Sequence, residues 1–445
     1  MRGLRDLGKL KAGFSKVDIT PPVGVYLSGY ILRGEPSQGV HDNLHARALV
    51  LDDGKTRVTV VSADLTGLFM ESIDRIRSKA SELTGIGREN ILIACTHTHS
   101  GPATFFMRGV EEVDGEYLAL LERKIVDSIV QANNGLRESS LAVGSGLVRG
   151  VGYNRERRSR EPVDEELGVI RVNSLKGDGG CLILNYACHP VVLGPSNLFI
   201  SADYPGAVER FVERSLGLYC LFTCGACGDI DPITNLEVWG KGTFGDVERL
   251  GRLIGAEAVK VAEGLDGTTN VKMGTKTASI ELPVREPPSV DEAKKELSAW
   301  RERLEELRRS GASTGELRIA KAMIGWAEDV LRSLTNRSFP KSKRIEVMLI
   351  GLNDTLLVAI PGEPFVEVGL KIKEASPFRY TYVIGYGNGE VGYFPTAEAF
   401  NRGGYEVEMA PRYLDITFLK PESEAILESS VIDLAERLHR ELESP

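Results

Sequence analysis

Two histidines separated by one residue follow an apolar run and are the clearest candidates for chemistry in this chain. Residues 91–94 read Ile-Leu-Ile-Ala, typical of a buried strand, and residues 95–102 continue as Cys-Thr-His-Thr-His-Ser-Gly-Pro. Because residues i and i+2 of an extended chain point the same way, His97 and His99 are predicted to face one cleft. Imidazole is a common ligand of transition metals and transfers protons near neutral pH. The chain has only 6 histidines, so this pair predicts a metal or proton-transfer site.

A third histidine and a glutamate also stand where apolar runs stop. His189 follows the run 182–187, and Glu363 lies in a Pro-Gly-Glu-Pro turn after the run 356–360. Catalytic zinc usually takes three or four nitrogen, oxygen or sulfur ligands and keeps a position open for water. A histidine at a strand end is also common as a core or turn residue, and Glu363 could instead cap a helix starting near Phe365. Both interpretations stay open on the residues alone.

The six cysteines do not form a zinc or disulfide pattern. Cys224-Gly-Ala-Cys227 is a single C-x-x-C pair without the second pair or histidines that a zinc ribbon needs. Six cysteines in 445 residues are too sparse for a disulfide framework, so buried thiols or an incidental disulfide are expected. A cysteine-based enzyme using Cys95 or Cys188 is an alternative. Neighbours along a strand point to opposite faces, which argues against a Cys188–His189 dyad.

Composition excludes several classes of protein. The net charge of −9, from 63 acidic against 54 basic residues, disfavours a nucleic-acid partner. No stretch approaches the ~20 apolar residues of a membrane span, and Met1–Lys11 lacks the apolar core of a secretion signal. We therefore expect a soluble cytoplasmic protein without an integral membrane segment. The sequence says nothing of its oligomeric state.

Strand and helix patterns alternate along the chain and predict an α/β fold with mixed β-sheets flanked by helices. One domain over residues 1–445 is expected, with a charged helical hairpin inserted at about 287–343. The main predicted strands are 45–51, 57–62, 91–94, 141–148, 167–172, 181–187, 218–223, 345–352 and 355–360. The main predicted helices are 70–84, 117–132, 207–216, 247–263, 291–309, 314–334 and 422–442.

Motifs distributed over residues 13–410 resemble the catalytic domain of neutral, non-lysosomal ceramidases, which are zinc amidases. The most specific is the His-Thr-His-Ser-Gly-Pro turn at 97–102, and the others occur in the family's order. They are Val-Asp-Ile-Thr at 17–20, Gly-Tyr at 29–30, Gly-Val-His-Asp at 39–42, Ala-Arg-Ala at 46–48, Val-Ser-Ala-Asp at 61–64, Asn-Arg at 154–155, His-Pro at 189–190, Ser-Ala-Asp at 201–203, Gly-Asp at 228–229, Pro-Gly-Glu at 361–363 and Gly-Tyr at 392–393.

The resemblance implies roles for particular residues. It places zinc on four ligands, namely His97, His189, Glu363 and Tyr393. It places His99 beside the metal as the group that handles protons or faces the oxyanion. Two more residues, Arg155 and Tyr405, are implied to polarise the amide carbonyl. Asp229 is expected to orient a neighbour such as His99 or the polar head of the substrate, while Asp64 is either a similar support or a turn cap.

Three departures from the family bear on function. Asp231 stands where the family has a serine, and Glu390 stands where it usually has a tyrosine three positions before the liganding tyrosine. The family's C-terminal immunoglobulin-like domain is expected to be absent. Residues 105–107, Phe-Phe-Met, are the only apolar lip that the sequence suggests for drawing a lipid from a membrane. His45 is expected to be structural, His439 to face solvent, and His41 remains open.

The expected function is hydrolysis of a linear N-acyl amide by a zinc-activated water, whose pKa falls from 15.7 toward roughly 7. The substrate is expected to be ceramide, a related N-acyl lipid or a smaller amide. The main alternative is a zinc- or ligand-binding protein of ceramidase type without amidase activity. A purely structural scaffold is disfavoured by the clustered histidines.

Overall fold

The computed structural model describes residues 9–110, 113–157 and 161–444, so most of the Met1–Lys11 segment lies outside the described residues. In chain order the described strands are β1 (Lys11–Asp18), β2 (Gly39–Val40), β3 (His45–Asp52), β4 (Arg57–Ala63), β5 (Ile91–Cys95), β6 (Arg137–Leu147), β7 (Gly152–Asn154), β8 (Glu166–Ser174), β9 (Gly180–Tyr186), β10 (Phe199–Ile200), β11 (Tyr219–Cys224), β12 (Ile230–Pro232), β13 (Met273–Pro283), β14 (Ser342–Leu352), β15 (Thr355–Ala359), β16 (Glu363–Pro364), β17 (Tyr380–Ile384) and β18 (Tyr393–Phe394).

The helices occupy the segments between these strands. The α-helices are α1 (Met70–Thr84), α2 (Gly115–Asn134), α3 (Asp203–Leu216), α4 (Phe244–Glu263), α5 (Val290–Ser310), α6 (Thr314–Thr335), α7 (Val366–Ala375), α8 (Ala397–Arg402), α9 (Pro411–Leu414) and α10 (Glu422–Glu443). A short π-helix covers Tyr405–Met409, and 3₁₀ turns cover Arg88–Asn90 and Ile233–Asn235.

Two mixed sheets form the centre of the fold. The larger has eight strands in the order β11-β9-β8-β6-β1-β3-β4-β5, and the smaller has four in the order β13-β14-β15-β17. Parallel pairs occur at β11–β9, β4–β5 and β15–β17, and the other neighbours in these two sheets are antiparallel. The predicted α/β class with mixed sheets and flanking helices is therefore confirmed.

The strand sequences are apolar at successive positions because both faces of each sheet are covered. In β5, Ile91 and Ile93 pack with the helices α1 and α2, whereas Leu92 and Ala94 pack toward the second sheet. In β15, Leu357 faces the same inter-sheet core. Successive side chains of a strand point to opposite faces, so the layers run helix, sheet, sheet, helix, with α7 and α10 outermost on the smaller sheet.

The larger sheet curves until segments from its two edges meet. The Cys224 thiol at the end of β11 lies 3.1 Å from the carbonyl oxygen of Thr96, which follows β5. The Ser62 hydroxyl of β4 also donates to the carbonyl of Phe222 in β11. This curvature brings the residues that follow β5 next to those that follow β9 and β11.

The charged helical pair is present as predicted and forms a hairpin. Each helix begins with a reciprocal capping box, Ser289 with Glu292 in α5 and Ser313 with Glu316 in α6, which satisfies otherwise unpaired amides of the first turn. The α6 helix packs on the loop near residue 33, where the Arg318 guanidinium donates to the carbonyl of Arg33. Within the described part of the chain, no helix is long and apolar enough to cross a membrane.

Candidate metal centre

His97 is fixed on the turn after β5 by its backbone and by its ring. Its φ of 65° lies in the left-handed region, which costs a non-glycine residue roughly 1–2 kcal/mol. The backbone N–H donates to the Leu65 carbonyl at 2.8 Å, and ring Nδ1 lies 2.6 Å from the Thr66 carbonyl oxygen. A carbonyl can only accept, so Nδ1 carries the proton and the Nε2 lone pair faces the cleft.

His189 is held in the same manner at the end of β9. Its Nδ1 lies 2.6 Å from the carbonyl oxygen of Cys227, so Nδ1 of this ring also carries a proton and Nε2 points inward. Nε2 is buried without a hydrogen bond of acceptable geometry among the described residues. Its nearest acidic group is Glu363 Oε2, at 3.1 Å.

The three imidazoles and the carboxylate converge on one point. The ligand nitrogens of His97, His99 and His189 all lie within 4.8 Å of one another. His97 Nε2 is 3.1 Å from His99 Nε2 and 3.6 Å from Glu363 Oε2. Lone pairs at these distances repel unless a cation or an acidic proton lies between them. The donor set fits a metal ion, and the buried cluster could hold one.

Burial sets the protonation of these rings. It lowers the pKa of His97 and of His99 well below the usual histidine range, and the neighbouring imidazoles add to the effect. Both rings are therefore neutral, as metal ligation requires. Burial and the Arg155 charge also lower the pKa of His189, but the Cys227 side chain and the Glu363 carboxylate outweigh them and raise that pKa to about 10. Without a cation, Glu363 stabilises the protonated form of His189. A bound cation would provide that positive charge instead, and His189 could then be neutral.

Glu363 faces the imidazoles and does not cap a helix. The first residue before α7 is Phe365, and no side chain caps that helix. The parallel pair β16–β18 sets Glu363 directly beside Tyr393. The Tyr393 hydroxyl accepts a hydrogen bond from Arg155 Nη2 at 3.0 Å. The four expected ligands thus lie on neighbouring loops and strands, with Tyr393 on the Arg155 side.

Arg155 is almost fully committed to acceptors within the protein. It donates to Asp231 Oδ1 at 3.0 Å, to Glu406 Oε1 at 2.9 Å and to the Gly228 carbonyl at 2.8 Å, besides Tyr393. Asp231 is therefore an ion-pair partner of Arg155. Tyr405 lies on the π-helix and is half-exposed. Burial of its hydroxyl raises the pKa of Tyr405 above the usual range, so the phenol keeps its proton.

Asp229 differs from the expectation that it orients His99 or the substrate. Its Oδ1 accepts from the backbone N–H of Val366 at 2.8 Å and its Oδ2 accepts from the Asn154 amide at 2.6 Å. Burial raises the pKa of this carboxyl to about 7. Both oxygens are used to join β7 to the start of α7, so Asp229 supports the loops around the site without facing the cavity.

Asp64 and the remaining histidines lie in other surroundings. Asp64 Oδ2 pairs with the fully buried Arg47 at 2.9 Å and accepts from the His45 N–H, so it belongs to a buried ion cluster with Glu209. His41 stacks on Phe244 at 3.7 Å. His439, which was expected to face solvent, instead packs edge-on against Phe378 and is only partly exposed.

All six cysteines are buried and none forms a disulfide, which is one of the two outcomes that the cysteine pattern left open. Burial raises the pKa of the Cys188 thiol and of the Cys95 thiol well above their usual range. Neither thiol is therefore ionised near neutral pH, and the thiolate is the nucleophilic form. The cysteine-based alternative is disfavoured on this ground.

Tyr386 is a part of the site that the sequence interpretation missed. Its ring stacks on His97 with centroids 3.8 Å apart and an interplanar angle of 14°. Its hydroxyl lies 3.4 Å from Glu363 Oε2 and 3.4 Å from Cys227 Sγ. The residue occupies a glycine-rich turn after β17, with φ of 56°, and no spacing rule connects it to the histidines.

Removing the Tyr386 ring is expected to weaken metal binding, because it orients both an imidazole and the carboxylate. Loss of such supporting contacts typically costs 10–100-fold in metal affinity. Tyr386→Leu should lower zinc affinity about tenfold or more in a chelator competition titration, whereas Tyr386→Phe, which keeps the stacking, should lower it less. Equal affinity for Tyr386→Leu and the unaltered protein would contradict this role.

A cavity of about 830 Å³ opens beside the imidazoles. His99, Arg155, Tyr393 and Tyr405 line it. Its mouth has an apolar rim of half-exposed residues, namely Leu32, Leu236, Trp239 and Tyr405, with Val238 beside them. The expectation that residues 105–107 are the only apolar lip is therefore wrong, and of these Phe105 is buried.

The fold and the donor set together define a class: an α/β protein with a buried imidazole–carboxylate site that could hold a metal. Comparison with known proteins is consistent with that class. Residues 10–219 match the family of N-terminal domains of neutral/alkaline non-lysosomal ceramidases. This match covers just under half of the chain, so the chain is similar to the neutral ceramidases over part of its length.

Similarity to individual relatives is distant. A neutral ceramidase of Pseudomonas aeruginosa is 27% identical over 260 residues, 52% of this chain and 38% of that protein. Neutral ceramidase 2 of Arabidopsis thaliana is 28% identical over 226 residues, 45% of this chain and 29% of that protein. The matched part thus spans less than half of these relatives. The crystal structure of the Pseudomonas aeruginosa neutral ceramidase shares the fold, with a TM-score of 0.76, 20% identity, and coverage of 98% of this chain and 75% of that one.

Proposed function

We propose that this protein is a zinc-dependent amide hydrolase that cleaves a linear N-acyl amide. The observation that carries the proposal is the approach of His97 Nε2 and His189 Nε2 to Glu363 Oε2, at 3.6 and 3.1 Å, with the Nδ1 proton of each ring directed to a backbone carbonyl away from the site. Two neutral imidazoles and a carboxylate are a common ligand set of hydrolytic zinc. Tyr393 is the proposed fourth ligand, because its strand pairs with that of Glu363.

Zinc at this site would supply an acidified water as nucleophile and a Lewis acid for the carbonyl. The chain's own groups would do the rest. The Tyr405 hydroxyl, which keeps its proton, and Arg155 would donate to the oxygen on which charge develops, and one such donor is worth about 2.7–4 kcal/mol in other hydrolases. His99, neutral in the resting protein, would carry the proton that the leaving amine needs.

Turnover of N-acyl amides before and after metal removal tests the proposal. The purified protein should hydrolyse at least one member of a panel running from ceramides to short acyl-amino acids. Chelation should abolish this activity, and added zinc should restore it. The Cys188→Ala variant is the control and should retain activity that remains sensitive to the chelator. Activity that resists complete metal removal would contradict the proposal.

The alternative is a metal-binding protein of this family without amidase activity. The hydrogen bonds of Arg155 favour it, because a guanidinium that already donates to protein acceptors has fewer N–H groups left for an oxyanion. Those acceptors are Asp231, Glu406, Tyr393 and the Gly228 carbonyl. Stoichiometric zinc binding without turnover on the whole panel would support this alternative.

A further inference from the structure

The cavity beside the proposed zinc site has a surplus of carboxylates. The charged side chains that line it are one guanidinium, Arg155, and four carboxylates, namely Glu156, Asp231, Glu237 and Glu406. Arg155 is shared between Asp231 and Glu406. Glu156 is paired with an arginine outside the lining. Among the described lining residues, no second lysine or arginine balances the remaining negative charge.

Asp231 is the most deeply placed of these carboxylates and is incompletely paired. The residue is 1% exposed, and the β7–β12 pair fixes it opposite Tyr153. Its Oδ1 takes the Arg155 contact, whereas Oδ2 is buried without a hydrogen-bond partner among the described residues. A buried carboxylate oxygen is destabilising unless a donor or a positive charge reaches it. Asp231 lines the cavity, so a cationic ligand there would lie next to this carboxylate.

The neutral part of the lining also favours a cation. Six aromatic side chains line the cavity, namely Tyr30, Tyr153, Trp239, Tyr393, Tyr405 and Tyr413. Aromatic rings attract ammonium groups through their negative faces and do not attract carboxylates in this way. Aromatic walls with surplus carboxylates are therefore suited to an alkyl chain that carries an ammonium group.

We propose that this cavity selects N-acyl amides whose amine half carries a second, positively charged amino group, with Asp231 as the specificity-determining residue. The inference rests on the proposed amide hydrolysis and names its substrate class. An amine half with a carboxylate, as in an acyl-amino acid, is rejected by the same charges.

Three amides with one acyl chain test the selection. Dodecanoyl amides of ethylenediamine, ethanolamine and glycine place a cation, a neutral hydroxyl and an anion at matched positions. For the zinc-loaded protein, kcat/KM should be highest for the ethylenediamine amide and at least about tenfold lower for the glycine amide, as expected for one charge-assisted contact. Equal or faster cleavage of the glycine amide would overturn the proposal.

Variants assign the effect to Asp231. Asp231→Asn should reduce the ratio of kcat/KM for the ethylenediamine amide to kcat/KM for the glycine amide about tenfold. If the substitution also displaces Arg155, the loss of activity affects both amides and does not change this ratio. Glu71→Gln, at an exposed position on α1 outside the cavity, is the matched control and should leave the ratio unchanged. If Asp231→Asn does not fold, Glu237→Gln should lower the ratio by a smaller factor. An unaltered ratio in whichever of these two variants folds would refute selection by the carboxylates of the cavity.

Binding of a molecule that cannot be hydrolysed separates this inference from the proposed function. Decyltrimethylammonium should bind the zinc-loaded protein at least about tenfold more tightly than decanol by calorimetry, measured below the micellar concentration of the ammonium compound and the solubility limit of decanol. If none of the amides is cleaved but this preference is found, the proposed function fails and the cavity inference stands. Equal binding of the two molecules would overturn the inference whatever the turnover.

Discussion

Replacing His189 with alanine is expected to remove zinc from the protein and to abolish amide hydrolysis. The ring is fully buried, is oriented by the Cys227 carbonyl and points its free nitrogen at Glu363. Without it, the carboxylate loses its nearest cationic or metal-bound partner. Metal analysis should fall from about one zinc per chain to background, and turnover should fall by about three orders of magnitude or more, since the metal supplies both nucleophile and Lewis acid.

His439→Ala is the matched control for this prediction. That imidazole lies on α10 against Phe378, so its removal should leave zinc content and turnover unchanged. The same measurement on His97→Ala should match His189→Ala. Full zinc occupancy in both site variants would show that the ligand set is wrong.

Replacing His99 with alanine is expected to leave zinc bound and to lower kcat by about 10²–10⁴-fold, the range of a general acid or base. The ring lies edge-on against Tyr30 at 4.9 Å and faces the cavity. It therefore lies between the proposed ligands and the cavity. Zinc content and single-turnover rates measured on one preparation check both halves of the prediction.

The His99→Ala result also decides between two roles. The ligand nitrogens of His97, His99 and His189 lie within 4.8 Å of one another, which is close enough for His99 to bind the same metal ion directly. Loss of zinc together with activity would make His99 a ligand and would leave the proton transfer to another group. Unchanged kinetics with retained zinc would remove His99 from the mechanism.

Much of the fold follows from local patterns in the sequence. The helix predicted over residues 70–84 has those bounds, and the strands at β3, β4, β9 and β14 match their predictions within a few residues. The strand Met273–Pro283 was not predicted, because many of its side chains are only partly buried and its polar residues hide the alternation. Its place is set by pairing with β14 along eleven residues, a contact distant in the chain.

The candidate site was predictable only where a motif marks it. His97, His99, His189 and Glu363 each follow an apolar strand, and that signal is local. The curvature of the larger sheet, which makes them neighbours, is a property of the packed layers. Tyr386 and the Arg155–Asp231 pair depend on this tertiary proximity, so neither spacing nor composition could reveal them.

The residues of the proposed metal site come from both layers of strands. His97 and His189 follow strands of the larger sheet, whereas Glu363 and Tyr386 follow strands of the smaller one. An ion bound there would act as a cross-link between two halves of the chain far apart in sequence, and binding energy would be shared with folding. A fragment ending near residue 219 would keep two imidazole ligands and lose the carboxylate, so intact tertiary assembly is a precondition for holding the ion.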